Sequence, residues 1–391
     1  MHIGIDGSTW WNRRGFGRFT RGLLQAIFAA PRGHRFSLFV DQQPEPEMIH
    51  SHVRVVEVPT SRSVTKSAIS GDRRSLSDML KFARAASAER PDVMFFPAVY
   101  SWFPVGRRIP SVLTLHDAIA EHFPELIFPD WKGRLFWSLK MRLACRQASR
   151  IISVSHAAKQ EIVQYIGLQQ ERIDVICEGA DPIFNPVAAG ERRAAARRKT
   201  GIPPDCRLLL YVGGIAPHKN LANLLSGFAE AASLVGDVHL AIVGDPGGDG
   251  FHSNYSEVVA QANAEVQLRG RVHFTGFVAD DDLASLYSDA VALIQPSFSE
   301  GFGLPALEAL ACGTPVLATK GGATAEVIGA AGLTFDPYHS DEIARQIVRI
   351  TTEPATLATL RGNALERARD YSWTKAAELT LASLERTASG V

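Results

Sequence analysis

Short runs of β-branched and aromatic residues alternate along this chain with amphipathic stretches, and that alternation limits the fold more than any other feature. Strand-like runs fall at 2–6, 36–40, 53–58, 92–97, 111–116, 151–154 and 173–177. They recur at 208–212, 239–243, 272–275, 290–295, 315–318 and 333–335. Helical spacing occupies 18–29, 75–88, 131–147 and 156–166 in the first half. In the second half it occupies 220–234, 255–269, 282–288, 304–311 and 341–350. Strands joined through such helices form parallel sheets covered on both faces. The expected architecture is therefore α/β, with two doubly wound, Rossmann-like parallel-sheet domains. Pro182, Pro186, Pro203 and Pro204 surround a short Ala/Arg-rich helix at 191–199, which reads as a hinge followed by an entry helix. This divides the chain into domains at 1–180 and 181–370. Ligands of open α/β sheets sit beyond the carboxyl ends of the strands, so motifs that follow strands are expected to converge on one cleft between facing domains.

Composition removes other classes. With 391 residues, 46% of them hydrophobic, the chain can bury two cores and is not disordered. No apolar run reaches the roughly 18–20 residues of a membrane span, and the N-terminus lacks a signal-peptide pattern. Cys145, Cys177, Cys206 and Cys312 lie far apart, which suits reduced thiols and a cytoplasmic location. Equal numbers of cationic and anionic residues, 41 each, give no field that drives the chain onto nucleic acid. That balance hides a split: residues 1–180 carry +7 and residues 181–391 carry −7. In the basic half, Lys132, Arg134, Lys140, Arg142, Arg146 and Arg150 interleave with Trp131, Leu135, Phe136, Trp137, Leu139, Met141 and Leu143. Such a helix can lie on an anionic membrane; core packing is nevertheless the expectation for most of its apolar residues.

Chemistry concentrates at 297–308, Ser-Phe-Ser-Glu-Gly-Phe-Gly-Leu-Pro-Ala-Leu-Glu. A buried strand runs into a polar loop, glycines permit tight turns, and Pro305 suits a first helical turn. The amides of Phe302, Gly303 and Leu304 would then form an anion site at a helix N-terminus. Glu300 and Glu308 flank it. Even if both were helical they would stand ~12 Å apart, beyond a glycosidase acid/base pair, so they are assigned separate tasks.

This segment, continued through Glu-Ala-x-Ala-Cys-Gly-Thr-Pro-Val, resembles the retaining glycosyltransferases of the family 4 type, which have the GT-B fold. Tyr211-Val212-Gly213-Gly214 through Pro217-His218-Lys219-Asn220 is similar to the family's donor-phosphate loop. Thr114-Leu115-His116-Asp117 is similar to its first-domain His motif, and Gly15-Phe16-Gly17-Arg18 to its first glycine loop. Tyr371-Ser372-Trp373 is similar to the start of its C-terminal helix, so 371–391 is expected to pack back toward the first domain.

The resemblance implies a donor site in the second domain and an acceptor side in the first. Lys219 would neutralise the leaving diphosphate, aided by amides near Phe302–Leu304 and Gly15–Gly17. Neither Gly214 nor His218 is the Arg found in many relatives, which leaves His218 or Arg18 to supply a second cation. Glu308 would accept the ribose hydroxyls, Glu300 would orient the donor sugar, and His116 would meet that sugar's 6-hydroxyl or the reacting centre. No metal or cofactor is expected; Asp280-Asp281-Asp282 is read as an N-cap and dipole partner instead of a metal ligand. Gly15-x-Gly17-x-x-Thr20 is a poor dinucleotide fingerprint, since Thr20 stands where the third glycine belongs. The implied reaction transfers a hexose, with mannose favoured, from GDP-mannose or a UDP-sugar to a saccharide or lipid-linked saccharide in surface-polysaccharide assembly. A sugar-nucleotide epimerase and a non-catalytic nucleotide-sugar binder are the alternatives.

Overall fold

The computed structural model describes residues 1–12, 15–60, 75–128, 130–244 and 254–390. The loop leading to Gly15 is thus described except for Arg13 and Arg14, and Val391 lies outside the described residues. The chain forms two compact units, Met1–Gly179 with Ser372–Val391, and Ala180–Tyr371.

Unit 1 holds a seven-stranded sheet: β1 (His2–Asp6), β2 (Arg35–Val40), β3 (Val53–Glu57), β4 (Val93–Phe96), β5 (Ser111–Leu115), β6 (Arg150–Ser153) and β7 (Ile173–Val175). The order is β3-β2-β1-β4-β5-β6-β7 and every pairing is parallel. β1, β4 and β5 are buried throughout, as strands covered on both faces must be. The last helix, Trp373–Ser389, belongs to this unit. Ser372 caps it, Trp373 packs edge-on against Phe19 at 5.9 Å, and Ser383 donates to Asp174 at 2.7 Å.

Unit 2 holds six parallel strands: β8 (Arg207–Val212), β9 (Val238–Val243), β10 (Val272–Gly276), β11 (Ala292–Gln295), β12 (Val316–Thr319) and β13 (Gly332–Phe335), ordered β10-β9-β8-β11-β12-β13. Leu209, Leu240, Ile294, Leu225, Phe228 and Ile347 lie in one core between sheet and helices. In both sheets the strand order reverses once, between β1 and β4 and between β8 and β11. Such switch points open a crevice at the carboxyl ends of the strands.

All thirteen strand-like runs are strands, shifted by a residue or two at their ends. Four helical readings need correction. The stretch 156–166 is α-helical only to Glu161 and closes in a π turn, Ile162–Ile166. The stretch 255–269 ends at Ala264, followed by a separate turn, Val266–Leu268. The aspartate run does not cap its helix: Ala279 occupies the cap of Asp280–Asp289, and the three carboxylates fill the first turn, where the dipole favours them. The segment Trp131–Gln147 departs furthest. Of its apolar residues only Met141, Ala144 and Cys145 are buried, whereas Trp131, Leu135, Leu139 and Leu143 are 69%, 61%, 56% and 49% exposed. Their spacing of four puts them on one stripe, on the side of the helix away from the core.

Candidate active site

At the switch point of unit 2 the loops after β8 and β11 are tied together. The chain leaves β8 at Val212, passes Gly213 and Gly214, and makes one tight turn at Pro217–Lys219. Asn220 then adopts a left-handed conformation, φ 58°, which Asn tolerates better than most residues. Its buried amide donates to the carbonyls of Pro296 (3.0 Å) and Pro337 (2.7 Å), and Phe298 N donates to the His218 carbonyl at 3.0 Å. The loops are thereby held in register. Lys219 Nζ meets Glu300 Oε1 at 2.7 Å, and Ser297 Oγ donates to the same oxygen at 2.6 Å. Burial pushes the Glu300 carboxyl up, but the Lys219 charge and these hydrogen bonds outweigh it and hold the group below the usual carboxylate range. Beside them, burial and then the Lys219 charge push His218 down to about 4. His218 is therefore neutral at pH 7 here, which argues against it as a standing second cation.

Gly303 enters the Leu304–Ala311 helix with φ 99°, and a Cβ there would lie 2.9 Å from Thr324 Oγ1. Only glycine fits this turn, and Pro305 follows in the first helical turn. Phe302 is buried and packs edge-on to Tyr371 at 5.5 Å. Glu308, one turn into the helix, is buried and accepts from the Tyr287 hydroxyl at 3.1 Å.

In unit 1, Gly15 begins the first helix, Gly15–Ala29, and Gly17 is buried where a Cβ would fall 1.7 Å from the Asn12 carbonyl oxygen. Thr20 bonds Thr9 (2.7 Å) and the Phe16 carbonyl (2.8 Å), so a hydroxyl occupies the third-glycine position of the dinucleotide pattern. His116 stands just past β5. Phe16 and Phe19 pack edge-on to its ring at 4.9 and 4.5 Å, and Nε2 faces the Pro97 carbonyl at 2.9 Å. Its Nδ1 lies 3.5 Å from Glu178 Oε1. Burial raises the Glu178 carboxyl, and the imidazole partly offsets the rise.

The structure thus groups Gly213, Gly214, His218, Lys219, Glu300, Phe302, Gly303, Leu304 and Glu308 in the strand-end region of one unit, and Gly15, Gly17 and His116 in that of the other. Two residues in these regions are not marked by the motifs: Tyr287, which donates to Glu308, and Glu178; Ser297, which donates to Glu300, and Asn220, which joins the loops, lie inside the quoted motifs without a role assigned to them. Glu178 follows β7, so the rule that ligands lie beyond strand ends could have singled it out.

Residues 14–184 match the profile of Glycosyltransferase Family 4, and residues 192–367 match that of Glycosyl transferases group 1. The chain belongs to the family 4 glycosyltransferases. The chain is 33% identical over 281 residues to D-inositol 3-phosphate glycosyltransferase of Rhodococcus jostii, covering 70% of this chain and 61% of that one. It is 26% identical to the serotype-specific mannosyltransferase WbdA of Escherichia coli, covering 99% of this chain and 48% of that one. The chain therefore spans about three fifths and about half of the length of these two relatives. Among solved structures, sucrose-phosphate synthase from Thermosynechococcus elongatus superimposes with a TM-score of 0.74 at 21% identity, covering 100% of this chain and 99% of that one. Anabaena HepE in complex with UDP-glucose gives 0.74 at 21% identity, covering 98% and 100%. The chain has the GT-B fold, two parallel-sheet α/β domains.

Proposed function

We propose that this glycosyltransferase is a retaining, metal-independent hexosyltransferase. It would move a hexose, with mannose favoured, from a nucleoside-diphosphate sugar to a hydroxyl of a saccharide or lipid-linked saccharide during surface-polysaccharide assembly. The observation that carries the reading is the Lys219–Glu300 pair beyond the ends of β8 and β11. A diphosphate entering there draws Lys219 toward its oxygens, with the amides of Phe302–Leu304 as further donors, and frees Glu300 for the hydroxyls of the sugar. Glu308 takes the ribose. Asp281 and Asp282 are paired with Arg192 and Lys199, which favours a surface role over metal ligation for the aspartate run. In the proposed step, the acceptor oxygen bonds to the anomeric carbon on the face from which the sugar–phosphate bond breaks. The departing diphosphate takes the acceptor's proton. Trapping a covalent sugar–enzyme adduct would overturn that step.

WbdA is named a mannosyltransferase and HepE is solved with UDP-glucose, so GDP-mannose and UDP-glucose are the donors to compare. A donor held at 100 times its dissociation constant adds about 2.7 kcal/mol to stability, which a thermal-shift series reads directly. GDP-mannose is expected to stabilise most. A new sugar nucleotide formed from donor alone would favour the epimerase, and donor binding without transfer to any acceptor would favour the binder.

The exposed stripe of Trp131, Leu135, Leu139 and Leu143 supports a peripheral membrane contact. Lys132, Arg134, Arg142 and Arg146 are exposed on the same helix, which carries no acidic residue. Each cation at an anionic surface contributes about 1 kcal/mol. The protein is expected to co-sediment with phosphatidylglycerol vesicles, and Leu135→Glu with Leu139→Glu to abolish it. Absence of binding by the parent at low salt would remove the contact from the proposal. No described helix is long and apolar enough to cross a membrane.

A further inference from the structure

Both ring nitrogens of His116 face oxygen atoms within unit 1. Nε2 lies 2.9 Å from the Pro97 carbonyl oxygen, and Nδ1 lies 3.5 Å from Glu178 Oε1. A carbonyl oxygen only accepts, so Nε2 carries a hydrogen. In a neutral ring that leaves a lone pair on Nδ1, opposed to a carboxylate oxygen. The two side chains are only 9% and 5% exposed, so water does not relieve that opposition. One hydrogen between Nδ1 and Oε1 does relieve it. Held as imidazolium and carboxylate or as imidazole and carboxylic acid, the pair is net neutral. The other oxygen of Glu178, Oε2, is buried and has no partner among the described residues. A carboxyl group half-satisfied in an interior lowers stability, so a purely architectural task would be better served by an apolar side chain.

Resting on the role given above to His116, we propose that Glu178 is a positioning residue for sugar transfer, anchoring the His116 ring at the end of β5 through this bridging hydrogen. The other anchor, the Pro97 carbonyl, belongs to the loop after β4, and Phe16 and Phe19 of the first helix flank the ring. Glu178 arrives from the chain after β7, so one imidazole joins the ends of three strands. Removing the bridging hydrogen frees the ring to turn and unsettles the 116–117 segment. A displacement of about 1 Å at such a place costs up to about 100-fold in rate.

Two substitutions of similar volume separate the bridge from packing. Glu178→Gln retains a hydrogen for Nδ1 through its amide; Glu178→Leu does not. Transfer measured with saturating donor is expected to keep kcat within about threefold in Glu178→Gln and to lose about 30- to 100-fold in Glu178→Leu. The Glu178→Leu variant should melt no lower than the parent, and nucleoside-diphosphate affinity should be unchanged in both. In a His116→Ala background Glu178→Leu should cost little more, because its effect runs through the ring. The proposal fails if Glu178→Leu keeps full kcat, if Gln and Leu lose activity equally, or if the loss persists undiminished in His116→Ala. Full transfer by His116→Ala alone would instead overturn the assigned role of His116, which is a separate result.

Discussion

The strand-end regions of the two units differ in how far their paired side chains reach solvent. In unit 2 the Lys219–Glu300 pair keeps 20% and 16% side-chain exposure, close enough to solvent for an anion to compete for the lysine. In unit 1 the corresponding group is the His116–Glu178 pair, with 9% and 5% side-chain exposure, and Phe16 and Phe19 pack edge-on to the imidazole. The contrast points to a division of labour. Charge with access holds an anionic ligand, while a closed aromatic setting fixes geometry and offers little binding energy for charge.

The sharpest way to break this contrast is to compare Lys219→Ala with His116→Ala. Lys219→Ala removes the cation at the diphosphate and leaves Glu300 without its counter-charge. It is expected to lower kcat/KM by about 100- to 1000-fold and to abolish the thermal shift caused by a nucleoside diphosphate. His116→Ala should lower kcat by up to about 100-fold while leaving that thermal shift intact. Equal loss of nucleotide affinity in both variants would erase the distinction between a binding unit and an orienting unit.

A finer test lies within unit 2. Glu308→Gln replaces a charged acceptor by a neutral one and is expected to weaken nucleotide binding by about tenfold or more, since hydrogen bonds to charged groups contribute roughly 1.5–3 kcal/mol. Tyr287→Phe removes only the hydroxyl that meets Glu308 at 3.1 Å, and should weaken binding no more than about tenfold. Titration calorimetry with the preferred nucleotide orders the two, and a larger effect from Tyr287→Phe would show that Glu308 reaches the ligand only through the tyrosine.

These comparisons also explain what could be read from sequence. The parts of the unit 2 site lie within two short segments, 211–220 and 297–308, so contiguous motifs reveal Lys219, Glu300 and Glu308 at once. The His116–Glu178 pair joins positions 62 residues apart, and only the β5-β6-β7 order brings their strand ends near one another. The strands are legible as short, continuous apolar runs between polar flanks, because parallel strands such as β1, β4, β5 and β9 are buried on both faces. The Pro354–Ala368 helix was missed because only Leu360 and Ala364 are buried, which leaves almost no apolar periodicity to detect. The expectation of core packing for most apolar residues of Trp131–Gln147 fails at Trp131, Leu135, Leu139 and Leu143 for the converse reason. A stripe at helical spacing looks the same whether it faces a sheet or solvent, and only the structure shows that Met141, Ala144 and Cys145 take the inner face.

A change in stability, not in activity, tests how closed the loop at Lys219 is before ligand arrives. His218 is held neutral, with its pKa pushed down to about 4 from 6.5. In the unfolded chain it takes up a proton as pH falls through 6.5, whereas in the fold it does not until about pH 4. Stability should therefore fall with acidification across that window, by at most about 3 kcal/mol from this residue. Glu300 acts later and by the carboxylate rule. Its depressed pKa stabilises the fold above the unfolded value and is lost only as pH falls through the folded one. Denaturant unfolding at pH 7 and at pH 4.5 should show a shallower loss in His218→Gln than in the parent. An unchanged slope would mean that the loop is already hydrated, and that His218 is free to serve as a cation for the diphosphate.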